Sequence, residues 1–286
     1  MRAAASFLLL VAAAFSASGN VPGEAASGKG DEPDGIRVMS FNIRNGEAND
    51  GTNSWPYRCP AVAMMIEDTR PAVLGLQEAY YYQLYFITEN LLQYEAVGVG
   101  REDGKREGEY AAIVYDKKRV SLKKWGTFWL SETPSEPSTG WDAACRRTAT
   151  WALMKDKASG RNFLFVNTHL DHVGRVAREK GLQLIADRIA EINRDNLPVV
   201  LTGDFNVTPD DPVLKVLDGR LKNVRDIARK TDRQGTFNNW GRSDDVIDYI
   251  FCSGFSSCPE FRTVREHYAD RTFISDHYPV EALLRF

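Results

Sequence analysis

The sequence predicts an α/β domain with strands in its interior and helices outside them, and three observations point that way. From Ile36 onward, short β-rich runs alternate with turns and helical segments. Several runs are apolar on consecutive residues, the pattern of strands covered on both faces. Helical periodicity is confined to a few stretches between the runs. Neither an internal repeat nor a second linker interrupts residues 36–286, so one domain fits.

In chain order the expected strands are residues 36–43, 72–77, 111–115, 148–154, 163–169, 199–203 and 246–252. A helix is expected over 60–68, ending before Pro71, which cannot continue the hydrogen-bond ladder. The clearest helical pattern covers 175–193, where Val176, Leu182, Ile185, Ile189 and Ile192 recur on one face and Arg178, Glu179, Arg188 and Arg194 fall mostly elsewhere. A third helix fits 212–217, with Asp211 as its cap and Pro212 in the first helical position.

The N-terminal residues read differently. Residues 1–19 carry Arg2, an Ala- and Leu-rich apolar run from Phe7 to Phe15, and then small residues from Ser16 to Gly19, the pattern of a signal peptide. The apolar run is shorter than the roughly 20 residues that span a bilayer, so export to a secreted or periplasmic location is expected, with no stable membrane span. No cysteine in this leader offers a lipid attachment point. Residues 20–35 are rich in Gly, Ser, Ala, Asp and Glu without an apolar period and read as a disordered tether.

Of the 286 residues, 43% are hydrophobic and 26% charged, enough to bury one large core or two modest ones. The four cysteines, Cys59, Cys145, Cys252 and Cys258, are compatible with an oxidising compartment but too few to frame a fold this large. Cys252 and Cys258 bracket a Ser/Gly-rich stretch and could close a small loop if bonded; four free thiols fit as well. Their spacing is not that of a zinc site. The net charge of −3, with only scattered basic groups such as Lys117 to Arg119 and Lys123 to Lys124, argues against tight nonspecific DNA binding.

Polar residues gather where the strands end. Asn42 lies at the end of the first run, Glu78 after the second, His169 at the end of 163–169 and Asp204 with Asn206 after 199–203. In layered α/β folds the C-terminal strand ends are a common place to assemble a site. Taken singly, each has an ordinary explanation: a solvated cap, a turn former, a structural histidine. Together they form a set suited to phosphoester hydrolysis. That reaction places a water in line with a leaving oxygen and stabilises charge on the phosphoryl group. Hard divalent cations serve it and prefer the oxygen ligands that Glu78, Asp204, Asn206 and Asp276 offer, while His169 and His277 supply proton chemistry. Adjacent residues on a strand face opposite ways, so Asp276 and His277 serve one site only if the backbone turns between them, and a loop is expected there.

The runs VMSFNIR at 38–44, LQE at 76–78, VNTHLDH at 166–172, LTGDFN at 201–206, IDYIF at 247–251 and ISDHYPV at 274–280 occur in the order expected of the endonuclease/exonuclease/phosphatase superfamily. From about Ile36 to the C-terminus the chain resembles secreted bacterial members of that superfamily. The resemblance implies two packed mixed β-sheets flanked by helices, a four-layer α/β/β/α sandwich. It implies a metal site of Asn42, Glu78 and Asp276 that takes Mg²⁺ or Mn²⁺, with Glu78 the main ligand. His169 would bind the phosphate or protonate the leaving group. Asp204 and Asn206 would position and activate the attacking water, and Asp248 would orient His277; the proton acceptor is Asp204 or His277. Arg44 stands where some nuclease relatives carry a second acidic ligand, which argues against a second metal. The segment 141–151 resembles the region that supplies a phosphate-facing arginine, and Arg147 is favoured over Arg146 because it shares strand parity with Ala149 and Trp151.

The expected function is divalent-metal-dependent hydrolysis of a phosphoester, by a phosphatase or phosphodiesterase that acts as a monomer on a phosphorylated small molecule or a phosphodiester. A secreted nuclease is the alternative, disfavoured by the charge balance; a non-catalytic binding protein of the same fold comes third, because the site set is complete. The flexible basic segment 98–110 is a candidate for approaching an anionic substrate, and Trp125, Trp129 and Trp141 are candidates for a sugar or base pocket, though solvated loops and core aromatics have the same appearance.

Overall fold

A computed structural model describes residues 35–286. The expected leader and the tether up to residue 34 lie outside the described residues. Gly35, expected to end the tether, instead opens the first strand, where it pairs with Arg285.

The strands are β1 (Gly35–Asn42), β2 (Val73–Ala79), β3 (Tyr94–Val97), β4 (Tyr110–Asp116), β5 (Val120–Trp129), β6 (Thr148–Asp156), β7 (Asn162–His169), β8 (Val199–Asp204), β9 (Lys222–Asn223), β10 (Asp248–Ser253), β11 (Ser257–Thr263) and β12 (Val280–Arg285). They form two six-stranded mixed sheets, ordered β11-β12-β1-β2-β4-β3 and β5-β6-β7-β8-β10-β9. Helices α1 (Trp55–Thr69) and α2 (Tyr81–Asn90) belong with the first sheet and α3 (Arg175–Ile192) with the second.

Three apolar clusters account for this layering. Phe41, Leu74, Leu76 and Val114 of the first sheet meet Trp55, Val62, Met65 and Ile66 of α1 and Leu84 and Ile87 of α2. Ile36, Val38, Val73 and Ile113 meet Met154, Phe165, Val200 and Ile250 between the sheets. Leu164, Val166, Leu201 and Phe251 meet Leu182 and Ile185 of α3 on the far side. Both faces of each central strand are therefore buried, which is why their sequences are apolar on successive residues rather than alternating. The result is the expected four-layer α/β/β/α sandwich.

The helix expected over 60–68 begins earlier, at Trp55. Ser54 is its N-cap and Pro56 occupies the first turn, so Pro60, which looks like a helix start, lies inside and simply lacks one ladder donor. Its end before Pro71 is as expected, with Arg70 in the left-handed region. In α3 the buried residues are Ala177, Gly181, Leu182, Ile185 and Ala186, whereas Val176 is 45% exposed. Val176 lies in the exposed first turn, where Asp142, from a distant loop, caps the helix by accepting from the Val176 and Ala177 N–H groups at 3.2 and 2.7 Å. Residues 212–217 form a 3₁₀ helix, with Asp211 accepting from Val213 N–H as its cap. The four thiols are unbonded.

Candidate active site

The register of the second sheet brings three site residues side by side. His169 at the end of β7 pairs with Asp204 at the end of β8, and Asp204 pairs with Asp248 at the start of antiparallel β10. The first sheet contributes Asn42, at the end of β1, opposite Gln77 of β2. Glu78 follows in a β-bulge, where β2 gains one residue against β4, and its φ of 60° is left-handed. A bulge re-aims a side chain that regular pleating would send elsewhere, and a non-glycine residue in that region signals local strain held by its surroundings.

Glu78 is held from both sides. Asn42 Nδ2 donates to Glu78 Oε1 at 2.9 Å and to Asp204 Oδ2 at 3.0 Å, while Asn45 N–H donates to Glu78 Oε2 at 2.7 Å. Asn42 Oδ1 accepts from Arg44 N–H at 3.0 Å, so the amide bridges the two carboxylates. Asn206, also left-handed with φ of 51°, directs its Nδ2 to His169 Nε2 and to Leu170 O, both at 3.0 Å. His169 Nε2 lies 3.4 Å from Asp204 Oδ2.

Asp276 and His277 arrive on a loop ahead of β12, as the opposite facing of strand neighbours requires. Asn238 and Asn239 N–H groups donate to Asp276 O, and Ser275 Oγ donates to Asn42 O, fixing the turn against β1. His277 Nδ1 lies 2.9 Å from Asp248 Oδ2, and its Nε2 lies 3.7 Å from Asp204 Oδ2. Asp276 faces Arg44 Nη1 at 3.3 Å, and Arg44 also clasps Asp50 through Nε and Nη2 at 3.0 and 3.1 Å. A cation thus occupies the flank where a second acidic ligand would stand.

Charge separates the groups. Burial pushes Asp204 up to about 7, with the Asp248 charge adding to it, against His277 and the Asn42 bond. Burial alone would lower His277, but the charge and hydrogen bond of Asp248, with Asp204 and Asp276 nearby, raise it to about 10. Burial and the arginines Arg147 and Arg101 hold His169 well below the ordinary histidine value. Burial would raise Glu78, but the Asn42 bond, the His277 charge and Asn45 N–H outweigh it and keep the carboxyl low. At neutral pH the centre holds an imidazolium at 277, a neutral imidazole at 169 and an ionised Glu78.

Arg147 lies on the loop before β6 and lines a narrow cavity with Arg101, Glu109, Thr148 and His169. Its Nη2 is 3.0 Å from His172 Nδ1 and its Nε 3.6 Å from Asp171 Oδ2. Arg146 points away, to Glu102. Arg101 lies in the basic 98–110 segment that the sequence offered as an approach to an anionic substrate, whereas Glu109, Asn45 and Asp171 were not singled out as members of this region. Glu109 accepts from Asn45 Nδ2 at 3.0 Å and pairs with Arg101 at 2.5 Å. Asp171 takes N–H bonds from Ala144, Val173 and Gly174 and so shapes the loop that presents Arg147. The basic character of 98–110 and the place of Asp171 within the VNTHLDH run were the available signals. Trp129 is buried and donates its indole N–H to Arg101 O at 2.7 Å, bracing that segment rather than lining a pocket.

Among the described residues, Glu78, His169 and Asp204 offer ligand atoms within 4.8 Å of one another, as do Asp204, Asp248 and His277. The half-buried Glu78 carboxylate, with the buried Asp204 carboxylate joined to it through Asn42, suits a hard divalent cation: oxygen donors that carry excess negative charge. Cys145, Asp171 and His172 also cluster, but backbone donors fill Asp171 Oδ1, Arg147 Nε lies 3.6 Å from Oδ2, and the Arg147 guanidinium sits against His172, which opposes a cation there.

A model described as the Endonuclease/Exonuclease/phosphatase family matches residues 39–277. Among solved structures, the chain is similar to a mannosyl-6-phosphatase of Bacteroides thetaiotaomicron VPI-5482, at 36% identity over 88% of this chain and 100% of that one, with a TM-score of 0.84. It is also similar to an endonuclease/exonuclease/phosphatase from Bacteroides vulgatus, at 37% identity over 88% and 99% of the two chains, with a TM-score of 0.83. Among curated proteins, Nocturnin of Drosophila melanogaster is 22% identical over 86% of this chain, which spans 46% of that protein's length.

Proposed function

The chain belongs to the endonuclease/exonuclease/phosphatase family, whose members are hydrolases acting on phosphoesters, and from that premise we propose that it is an exported phosphatase of hexose 6-phosphates that uses Mg²⁺ or Mn²⁺. One observation carries the chemistry: Asn42, His169 and His277 converge on Asp204 Oδ2, at 3.0, 3.4 and 3.7 Å. The full-length likeness to a mannosyl-6-phosphatase supports the sugar phosphate, and the net charge of −3 weighs against a polynucleotide. The signal-peptide pattern of residues 1–19 supports export.

In this reading Glu78, with Asn42 beside it and Asp276 at the edge, would hold the cation, which would neutralise charge on the phosphoryl group and the leaving oxygen. Asp204, pushed up by burial, takes the proton of the attacking water as the water oxygen bonds to phosphorus, the ester P–O bond breaks and the sugar oxygen leaves as an alcohol, its proton coming from solvent. Asp248 keeps His277 protonated, and the imidazolium stabilises the phosphoryl oxygens through Nε2. Neutral His169, steadied by Asn206, donates a ring N–H to another phosphoryl oxygen, and Arg147 grips the phosphate from the far side.

The test is hydrolysis of hexose 6-phosphates, phosphodiesters, phospholipid headgroups, DNA and RNA by the protein lacking residues 1–19, each with Mg²⁺, Mn²⁺ or chelator. Chelator-sensitive phosphate release from the hexose 6-phosphates is expected. Turnover confined to polynucleotide, weakening with salt, would transfer the assignment to a nuclease.

A further inference from the structure

A groove of about 470 Å³ lies on the outer side of the first sheet, between α2, β3 and the 98–110 segment, with Tyr81, Tyr85, Val97, Lys105, Arg106 and Tyr110 among its walls. It begins beside the catalytic centre. Tyr110 also lines the narrow cavity that holds Arg147 and His169. Tyr81 follows Glu78 by three residues, which limits their Cα separation to about 11 Å. None of the groove residues takes part in the chemistry described above.

Its surface is unusual for solvent-facing residues. Tyr81 and Tyr85 are 39% and 55% exposed, and their rings lie nearly parallel with centroids 6.5 Å apart. The Arg106 guanidinium sits 4.4 Å over the Tyr81 ring, which fixes that ring's plane. Lys105, Thr88 and Glu95 supply donors and acceptors around it. Aromatic faces within a polar rim suit a ligand that is apolar on one face and hydroxylated at its edge, and the volume is that of an ordinary small-ligand pocket.

We propose that this groove is a saccharide subsite that holds further sugar units of a glycan whose phosphorylated residue enters the catalytic pocket. The inference rests on the sugar-phosphate reading and deepens it from a monosaccharide to an oligosaccharide substrate. Tyr85, the more exposed ring, packs against the apolar face of a sugar with Tyr81 behind it, and Arg106 and Lys105 donate to the sugar hydroxyls.

Two measurements on wild type, Tyr85→Ala and Arg106→Ala test it. In the first, kcat and KM are compared for a hexose 6-phosphate and for a trisaccharide that carries the same phosphohexose at one end. The variants are expected to raise KM for the trisaccharide about tenfold, with kcat and the monosaccharide unchanged. Equal changes on both substrates, or none on either, overturn the subsite. In the second, tyrosine ring resonances are followed by NMR while an unphosphorylated oligomannoside is added. Saturable shifts that vanish in Tyr85→Ala support the subsite even if no sugar phosphate is hydrolysed, an outcome that removes the substrate reading alone. Absence of shifts, or shifts produced instead by a single-stranded oligonucleotide, overturns it.

Discussion

His169, Asp204 and Asp248 stand on adjacent strands in ladder register, while Arg101, Arg106 and Arg147 stand on loops. The first group is positioned by backbone hydrogen bonds that also hold the sheet together. The second depends on a few side chains: Trp129 on Arg101 O, Asp171 on Ala144 N–H, Arg106 against Tyr81. Moving a strand residue requires a register change that turns every neighbour, whereas a loop residue moves when one brace is lost. The hydrolytic centre is thus tied to the fold, and the rim is free to set the substrate.

The largest effect should come from the strand-borne group. Asp204→Asn or His277→Ala should lower kcat by about 10²–10⁴ in protein that circular dichroism shows to be folded at the assay temperature. Since burial pushes Asp204 up and it must be ionised to accept a proton, kcat/KM should rise with pH through an acid limb that disappears in Asp204→Asn. Wild-type turnover in both variants would erase the distinction between centre and rim.

A pH titration of stability probes the same group without substrate. His277 is raised from 6.5 to about 10, so its contribution is complete below 6.5 and lost as pH rises through about 10. Asp204 is raised from 3.8 to about 7, so the native state favours its protonated form and loses stability as pH rises through about 7. Both signs agree: the cation-free protein should melt several degrees lower at alkaline than at weakly acidic pH. A divalent cation should shrink the first step, and Asp248→Asn the second. A melting temperature that rises across this range would contradict the assignment.

The rim should respond more mildly. Arg147→Ala removes the cation proposed to grip the phosphate, and a loss of about 10–100-fold in kcat/KM, chiefly through KM, is expected. Asp171→Asn keeps the arginine but loosens its loop, so it should show a fraction of that loss. If Asp171→Asn cost as much as Asp204→Asn, the rim would belong to the catalytic centre.

The same contrast explains what could be read in the sequence. The residues gathered at the centre lie in short runs at strand ends, where an acidic or imidazole side chain after an apolar run stands out, and the fold does bring them together. The partners of Arg147 and Glu78 do not stand out: Glu109 and Asn45 are ordinary loop residues until β2 and β4 place them against Glu78. Strands such as β5 and β11 also went unread, because β5 carries Lys123 to Trp125 on exposed positions and β11 contains Pro259 and Glu260. Pro60 misled as a helix start because its position relative to Ser54 and Pro56 is decided by packing of Trp55 and Cys59 in the core. Local composition records chemistry and apolar burial; it does not record which distant loop caps or braces an element.

The smallest effect lies where the two sheets meet beneath the centre. Gln77 Nε2 donates to Asn167 Oδ1 at 2.7 Å, Thr202 Oγ1 donates to the same oxygen at 3.0 Å, and Asn167 Nδ2 donates to Leu76 O and Ala112 O. This network joins β2 to β7 and β8 one residue away from Glu78. It needs Gly75, because a Cβ there would stand 2.3 Å from Thr202 Oγ1 and 2.4 Å from Asn167 Oδ1. Gly75→Ala therefore has to push both groups aside, at about 1–3 kcal/mol measured by urea unfolding. Because Gln77 precedes the bulge, the displacement should also reach Glu78 and weaken cation affinity a few-fold. Unchanged unfolding together with weakened affinity would mean that the bulge yields more easily than the network; unchanged values of both would mean that the sheets separate without strain, and that the centre is held by its own side-chain bonds rather than by the packing below it.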